Sequence, residues 1–142
     1  MGVQKGRRLE KEVDKLLDHI TLMGYHGHKN HPLRTSDGQW LQGEPYDYDL
    51  FLPGYHAAFD TKECATRSWH MQPKDIRQAD TLLRCQKAGL DAFFLILFEG
   101  KVLRKVPAKL ASDTLKAGRK TIHMEDCEVW SIERILRQMD GH

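Results

Sequence analysis

Asp47, Asp60 and Lys62 are the residues of this chain whose types and spacing can do chemistry. Asp60 and Lys62 stand two apart in Phe59-Asp60-Thr61-Lys62-Glu63. On a strand, that spacing puts both side chains on one face, because strand side chains alternate. Asp47 lies 13 residues before Asp60, just after Pro45-Tyr46, on what reads as the preceding strand. Two carboxylates converging with one lysine suit metal-dependent cleavage of a phosphodiester. Hard divalent ions take oxygen ligands, and an ammonium can hold a water or a phosphate oxygen.

The roles divide accordingly. Asp47 and Asp60 are expected to ligate Mg²⁺, or Mn²⁺ in its place, with the backbone carbonyl of Thr61 as a third oxygen. Lys62 would orient the attacking water or stabilise charge growing on the phosphate. Glu10, at the edge of the apolar stripe of the first helix, is expected to face the same hairpin and support a ligand water or a second metal. Ala57, Ala58 and Phe59 would partly desolvate Asp60. Burying carboxylates together without a cation is costly, since like charges resist joint ionisation, and a bound cation removes that cost. Glu63 should point to the opposite face and takes no role.

Arg77 and Gln78 on a following helix are candidates to reach a phosphate, and Gln78 a metal-bound water. Arg67, His70 and Lys74 are further phosphate candidates. Each has the alternative of plain solvent exposure, and a lone D-x-K match is a weak signal by itself. Trp40 and Trp69 can stack on bases, although a loop tryptophan more often packs on its own domain.

These residues need elements to position them. Leu9, Val13, Leu16, Leu17, Ile20 and Met23 recur at helical spacing, which predicts an amphipathic helix over about Val3 to Met23, stopped by Gly24. Tyr25 to Gly43 reads as a long loop. Strands are expected over Tyr46–Leu52 and His56–Cys64, joined by the turn dipeptide Pro53-Gly54. Arg67 to Pro73 is a connection, and Lys74 to Ala88 a second helix ended by Gly89. The unbroken apolar run Ala92–Phe98 predicts a central strand covered on both faces. Lys101–Val106, a short helix from Pro107, a strand near Thr121–Met124 and a closing helix from Glu125 to Met139 complete the order. The expected fold is α/β, a mixed sheet flanked by helices in one domain spanning residues 1–142.

The 142 residues suffice for a real core, and 30% charged residues are ordinary for a soluble protein. No apolar run is long enough to span a bilayer, and the polar start, Met1 to Glu12, lacks a signal peptide's apolar core, so an intracellular protein is expected. Cys64, Cys85 and Cys127 form no C-x-x-C pair and fit reduced thiols. His26, His28 and His31 fall close together, yet a solvated polar loop is the favoured account of them over a metal site. The net charge of +2 says little, but its distribution says more. Asp37 to Glu63 holds six acids and one base, and Lys101 to Lys120 seven bases and one acid. A cation-filled acidic pocket beside a surface that grips phosphates would explain both, with two solvated faces as the alternative.

The motifs Pro45-Tyr46-Asp47 and Asp60-Thr61-Lys62 resemble those of the PD-(D/E)XK nuclease superfamily. Within it the chain looks most like Holliday junction resolvases of the RecU and archaeal Hjc types. Lys5-Gly6-Arg7-Arg8-Leu9-Glu10 resembles their opening K-G-x-x-x-E and puts their helix glutamate at Glu10, with Lys5, Arg7 and Arg8 as further DNA contacts. Asp47-Tyr48 through Phe59-Asp60-Thr61-Lys62-Glu63 resembles the stretch D-Y…F-E-A-K-E-T. Gln78 and the helix and apolar strand after it resemble the corresponding glutamine helix. The acid of the E-x-K motif is Asp60 here, which shortens the ligand arm. Tyr25–Gly43 is shorter than the RecU stalk, so a compact archaeal-type or phage-encoded resolvase is an equal match. The resemblance implies a restriction-endonuclease-like fold, Mg²⁺-dependent paired nicking of four-way DNA junctions, and a homodimer. Competing expectations are a repair or restriction nuclease acting on other DNA, a non-catalytic DNA-binding protein on the same scaffold, and a small interaction protein.

Overall fold

A computed structural model describes residues 5–29 and 47–137, with the backbone alone for residues 5–8 and 132. Helix α1 (Lys5–Leu22) is followed by strands β1 (His26–Lys29), β2 (Tyr48–Leu52), β3 (Tyr55–Cys64) and β4 (Ser68–His70). Then come α2 (Pro73–Lys87), β5 (Asp91–Phe98), β6 (Val102–Pro107), α3 (Ala108–Lys116), β7 (Thr121–His123), β8 (Glu128–Val129) and α4 (Ile132–Arg137). Six strands form one mixed sheet in the order β1-β2-β3-β5-β6-β8, and β4 pairs with β7 in a separate two-stranded ribbon. Among the described residues only β3 and β5 run parallel, as the α2 crossover between them requires; the other pairs are antiparallel. The fold is α/β, a mixed sheet flanked by helices.

The sheet separates two apolar layers. Leu9, Val13, Leu16 and Ile20 of α1 pack on one face against Tyr48, Leu50, Ala57, Phe59, Phe93 and Leu95. On the other face Ala79 and Leu82 of α2 and Ala108 and Ala111 of α3 cover Ala58, Phe94, Ile96 and Val106. Seven consecutive residues of β5, Ala92 to Phe98, are buried, as a central strand with helices on both sides demands. Gly27 lets β1 lie flush on α1: a Cβ there would stand 2.5 Å from Leu17 Cδ2. At the start of β5, Asp91 Oδ2 accepts hydrogen bonds from the Tyr55 hydroxyl and from Lys105 Nζ, both at 2.5 Å. That carboxylate ties β3, β5 and β6 together at their shared end.

Three sequence expectations are corrected. The expected loop Tyr25–Gly43 contains β1, a short strand that sequence periodicity cannot reveal in His-Gly-His-Lys; residues 30–46 lie outside the description. The expected connection Arg67–Pro73 contains β4, whose Trp69 is buried against Phe94 and so is no base-stacking group. The expected closing helix Glu125–Met139 is instead a 3-10 turn (Met124–Asp126), β8 and the short α4, because β6 offers an edge that Glu128 and Val129 occupy. Trp40, His31 and Tyr46 lie outside the described residues.

Leu16 is wholly buried on α1, whereas Lys15 beside it is solvated. Leu16→Ala should cost about 2–5 kcal/mol in a urea melt, and Lys15→Ala within roughly 0.5 kcal/mol of nothing.

Candidate active site

Strand alternation puts Asp60 and Lys62 on the α2 side of β3, as expected, with Ala58 of the same face in the α2 core layer. The Lys62 ammonium lies 3.0 Å from Asp60 Oδ2 and 2.9 Å from Asp75 Oδ1, and donates to Gln78 Oε1 at 2.8 Å. Its three N–H groups therefore have three acceptors. Asp47 sits just before β2, where its Oδ2 accepts the backbone N–H of Thr61 at 3.1 Å and the Thr61 hydroxyl at 3.0 Å. This pins Asp47, at the entry to β2, to the middle of β3.

The electrostatics of the group are unusual. Burial pushes the Asp60 carboxyl up from 3.8 to about 7; the Asp47 carboxylate adds to the rise and Lys62 opposes it. Asp60 Oδ1 is buried and has no hydrogen-bond partner among the described residues. Burial alone would lower Lys62, but the Asp60 and Asp75 carboxylates outweigh it and hold the ammonium above its ordinary range. Tyr48, buried on the far face, is raised by burial first and then by Asp14, Glu10, Asp47 and Asp60.

A buried carboxylate oxygen without a donor, beside a second carboxylate, is a donor set that a hard cation fits. Among the described residues no three His, Cys, Asp or Glu side chains cluster as a metal cage. The ligands would then be Asp47, Asp60 and the Thr61 carbonyl.

No family model and no curated protein matches the sequence. Among solved structures the chain is similar to Hjc, a Holliday junction resolvase from the archaeal hyperthermophile Archaeoglobus fulgidus. The TM-score is 0.45 and the identity 15%, over 70% of this chain and 77% of that one.

The other expected site residues divide. Gln78 is part of the cluster, through Lys62 rather than through solvent. Glu10 is exposed and pairs with Lys29 at 3.6 Å, and its charge acts on Tyr48 together with those of Asp47 and Asp60. Arg67 is engaged with Glu125 at 2.5 Å, and His70 Nδ1 with the Thr121 hydroxyl at 3.0 Å across the β4–β7 ribbon. Lys74 and Arg77 are exposed on α2, and the side chains of Lys5, Arg7 and Arg8 lie outside the description. Within the basic stretch, Lys105 and Lys109 are paired with Asp91 and Asp113. The cysteines are free.

Asp75 is the residue that sequence reasoning missed. It is buried at the third position of α2, where its Oδ2 accepts the Gln72 backbone N–H at 2.9 Å while Oδ1 holds Lys62. The signal was present in Gln72-Pro73-Lys74-Asp75, a helix start with an acid three residues after the cap.

The raised Asp60 carboxyl sets a pH dependence. The folded state holds its proton up to about pH 7, whereas an unfolded carboxyl loses it near 3.8, so this group's contribution to stability falls as pH rises between those values. With EDTA present, Asp60→Asn should therefore stabilise the fold above pH 7, on the order of 2–4 kcal/mol, with the gain vanishing near pH 4. Paired chemical melts at the two pH values measure it; an equal effect at both would refute the buried-acid assignment. Asp75→Ala, which removes a cap and a buried partner together, should cost about 2–4 kcal/mol in the same assay.

Proposed function

We propose that this chain is a Mg²⁺-dependent DNA endonuclease, and most specifically one that resolves four-way junctions by paired nicks. The observation that carries the nuclease reading is the Asp60 carboxylate, buried beside Asp47 with one oxygen unpartnered and Lys62 two residues along the same strand. The junction preference draws its support from the sequence motifs, which resemble those of junction resolvases. Paired nicking would use two copies of the chain, one for each strand cut.

Asp47 and Asp60 would hold the cation, with the Thr61 carbonyl beside them. When bound, such an ion supplies Lewis-acid polarisation of the phosphodiester and a more acidic water. Thr61 fixes Asp47 through two hydrogen bonds, so that carboxylate is oriented before any ligand arrives. Lys62 stays charged among its carboxylate partners and supplies the local positive charge that a phosphate needs. To reach a phosphate oxygen it must release one of its three acceptors. Gln78 is the neutral one, and giving up a neutral amide costs less than giving up a buried carboxylate. Gln78 therefore acts as the exchangeable partner that parks the lysine while the substrate is absent.

The test is cleavage of a labelled four-way junction beside matched linear duplex, with Mg²⁺ or with EDTA. Symmetric Mg²⁺-dependent nicks confined to the junction are expected. Asp60→Asn should lower cleavage by at least about 100-fold while leaving junction affinity within a few-fold. Equal cutting of linear DNA would keep the nuclease and remove the junction preference. Junction binding without any cutting by the unaltered chain would reject catalysis.

A further inference from the structure

We infer that the ring row His26–Phe51–His56 is a stacking platform for an unpaired base of the nucleic-acid strand that enters the carboxylate site.

The row follows from register. His26 is paired with Phe51 across β1 and β2, and Phe51 with His56 across β2 and β3. The Phe51 ring centroid lies 5.6 Å from His26 and 5.5 Å from His56, and His28 stacks on His26 at 5.9 Å. All four side chains are exposed; Phe51 is 43% accessible. Gly27, between the two histidines, presses on Leu17 of α1, so both imidazoles point away from that helix.

Position along β3 links the row to the candidate active site. His56, Ala58, Asp60 and Lys62 alternate onto one face of that strand. Asp60 lies four residues beyond His56, roughly 13 Å away at strand spacing. On this face α2 and α3 cover residues of β3, β5 and β6, and no residue of β1 or β2 belongs to their core layer. The outer half of the sheet thus presents exposed rings, tilted 35° and 58° to one another, on the face that carries the carboxylates.

The chemistry of these rings selects their occupant. Phenylalanine and histidine rings stack on splayed bases irrespective of sequence. Bases rather than backbone would therefore lie on the rings. Duplex DNA keeps its bases stacked internally, so the rings favour the frayed or crossing strands of branched DNA. The inference rests on the nuclease reading for the kind of polymer, but binding can be measured without cleavage.

The experiment uses the full chain in EDTA with a fluorescent single-stranded oligothymidine and a blunt duplex of equal length. Phe51→Leu keeps an apolar side chain on the strand and removes the ring, and Phe51→Trp restores one. Phe51→Leu should weaken oligothymidine binding by about 5- to 100-fold with duplex binding unchanged, and Phe51→Trp should recover it. His56→Leu, expected to act in the same direction, serves if Phe51→Leu melts below the assay temperature. Wild-type affinity in both leucine variants, equal loss for duplex, or no oligothymidine binding by the wild type would overturn the platform. So would a dimer whose dissociation in Phe51→Leu accounts for the loss, because the rings would then be a subunit contact. Mg²⁺-dependent cleavage is scored separately, so an intact nuclease with an indifferent Phe51 rejects the platform alone.

Discussion

The half-buried ammonium of Lys62 is the constraint around which the site is arranged. It joins the middle of β3 to the first turn of α2 through Asp60, Asp75 and Gln78. A half-buried cation is tolerated there because each of its donors has an acceptor. The same contacts fix the distance between the acid-bearing strand and the crossover helix. Asp75 makes the constraint rigid, since one carboxylate caps the helix and holds the lysine at once.

Apolar packing provides the frame for this polar cluster. α1 closes one face of the sheet, and α2 with α3 closes the central part of the other. Asp60 lies where that second layer ends, buried enough to resist ionisation yet next to strands that, among the described residues, α2 and α3 leave out of their core layer. A carboxyl held near its titration midpoint at neutral pH responds strongly to any neighbouring positive charge. Stability is sacrificed there, since the buried carboxyl resists ionisation.

Much of this was legible from the chain. The helical stripe from Leu9 to Ile20 and the run Ala92–Phe98 announced α1 and β5, because long periodic or wholly apolar segments have few alternatives. The D-x-K spacing gave the face shared by Asp60 and Lys62, and Gln78 was picked as a polar candidate. Short strands escaped: β1, β4 and β8 have four residues or fewer and exist because a neighbouring edge offers partners. Asp75 escaped for a related reason, since a capping acid and a lysine's partner look identical until the helix docks. Glu10 pairs with Lys29, and its charge reaches Tyr48 as those of Asp47 and Asp60 do.

The parallel pairing of β3 with β5 has a temporal consequence. β3 cannot find its inner neighbour until the crossover through α2 has been traversed, and such distant pairings form slowly. Asp47, Asp60, Lys62, Asp75 and Gln78 all precede β5 in the chain. During synthesis, every candidate catalytic group therefore emerges before the strand that seals it in place. The β2–β3 hairpin can bring Asp47 to Thr61 on its own, whereas the burial of Asp60 waits for β5 to pair along β3.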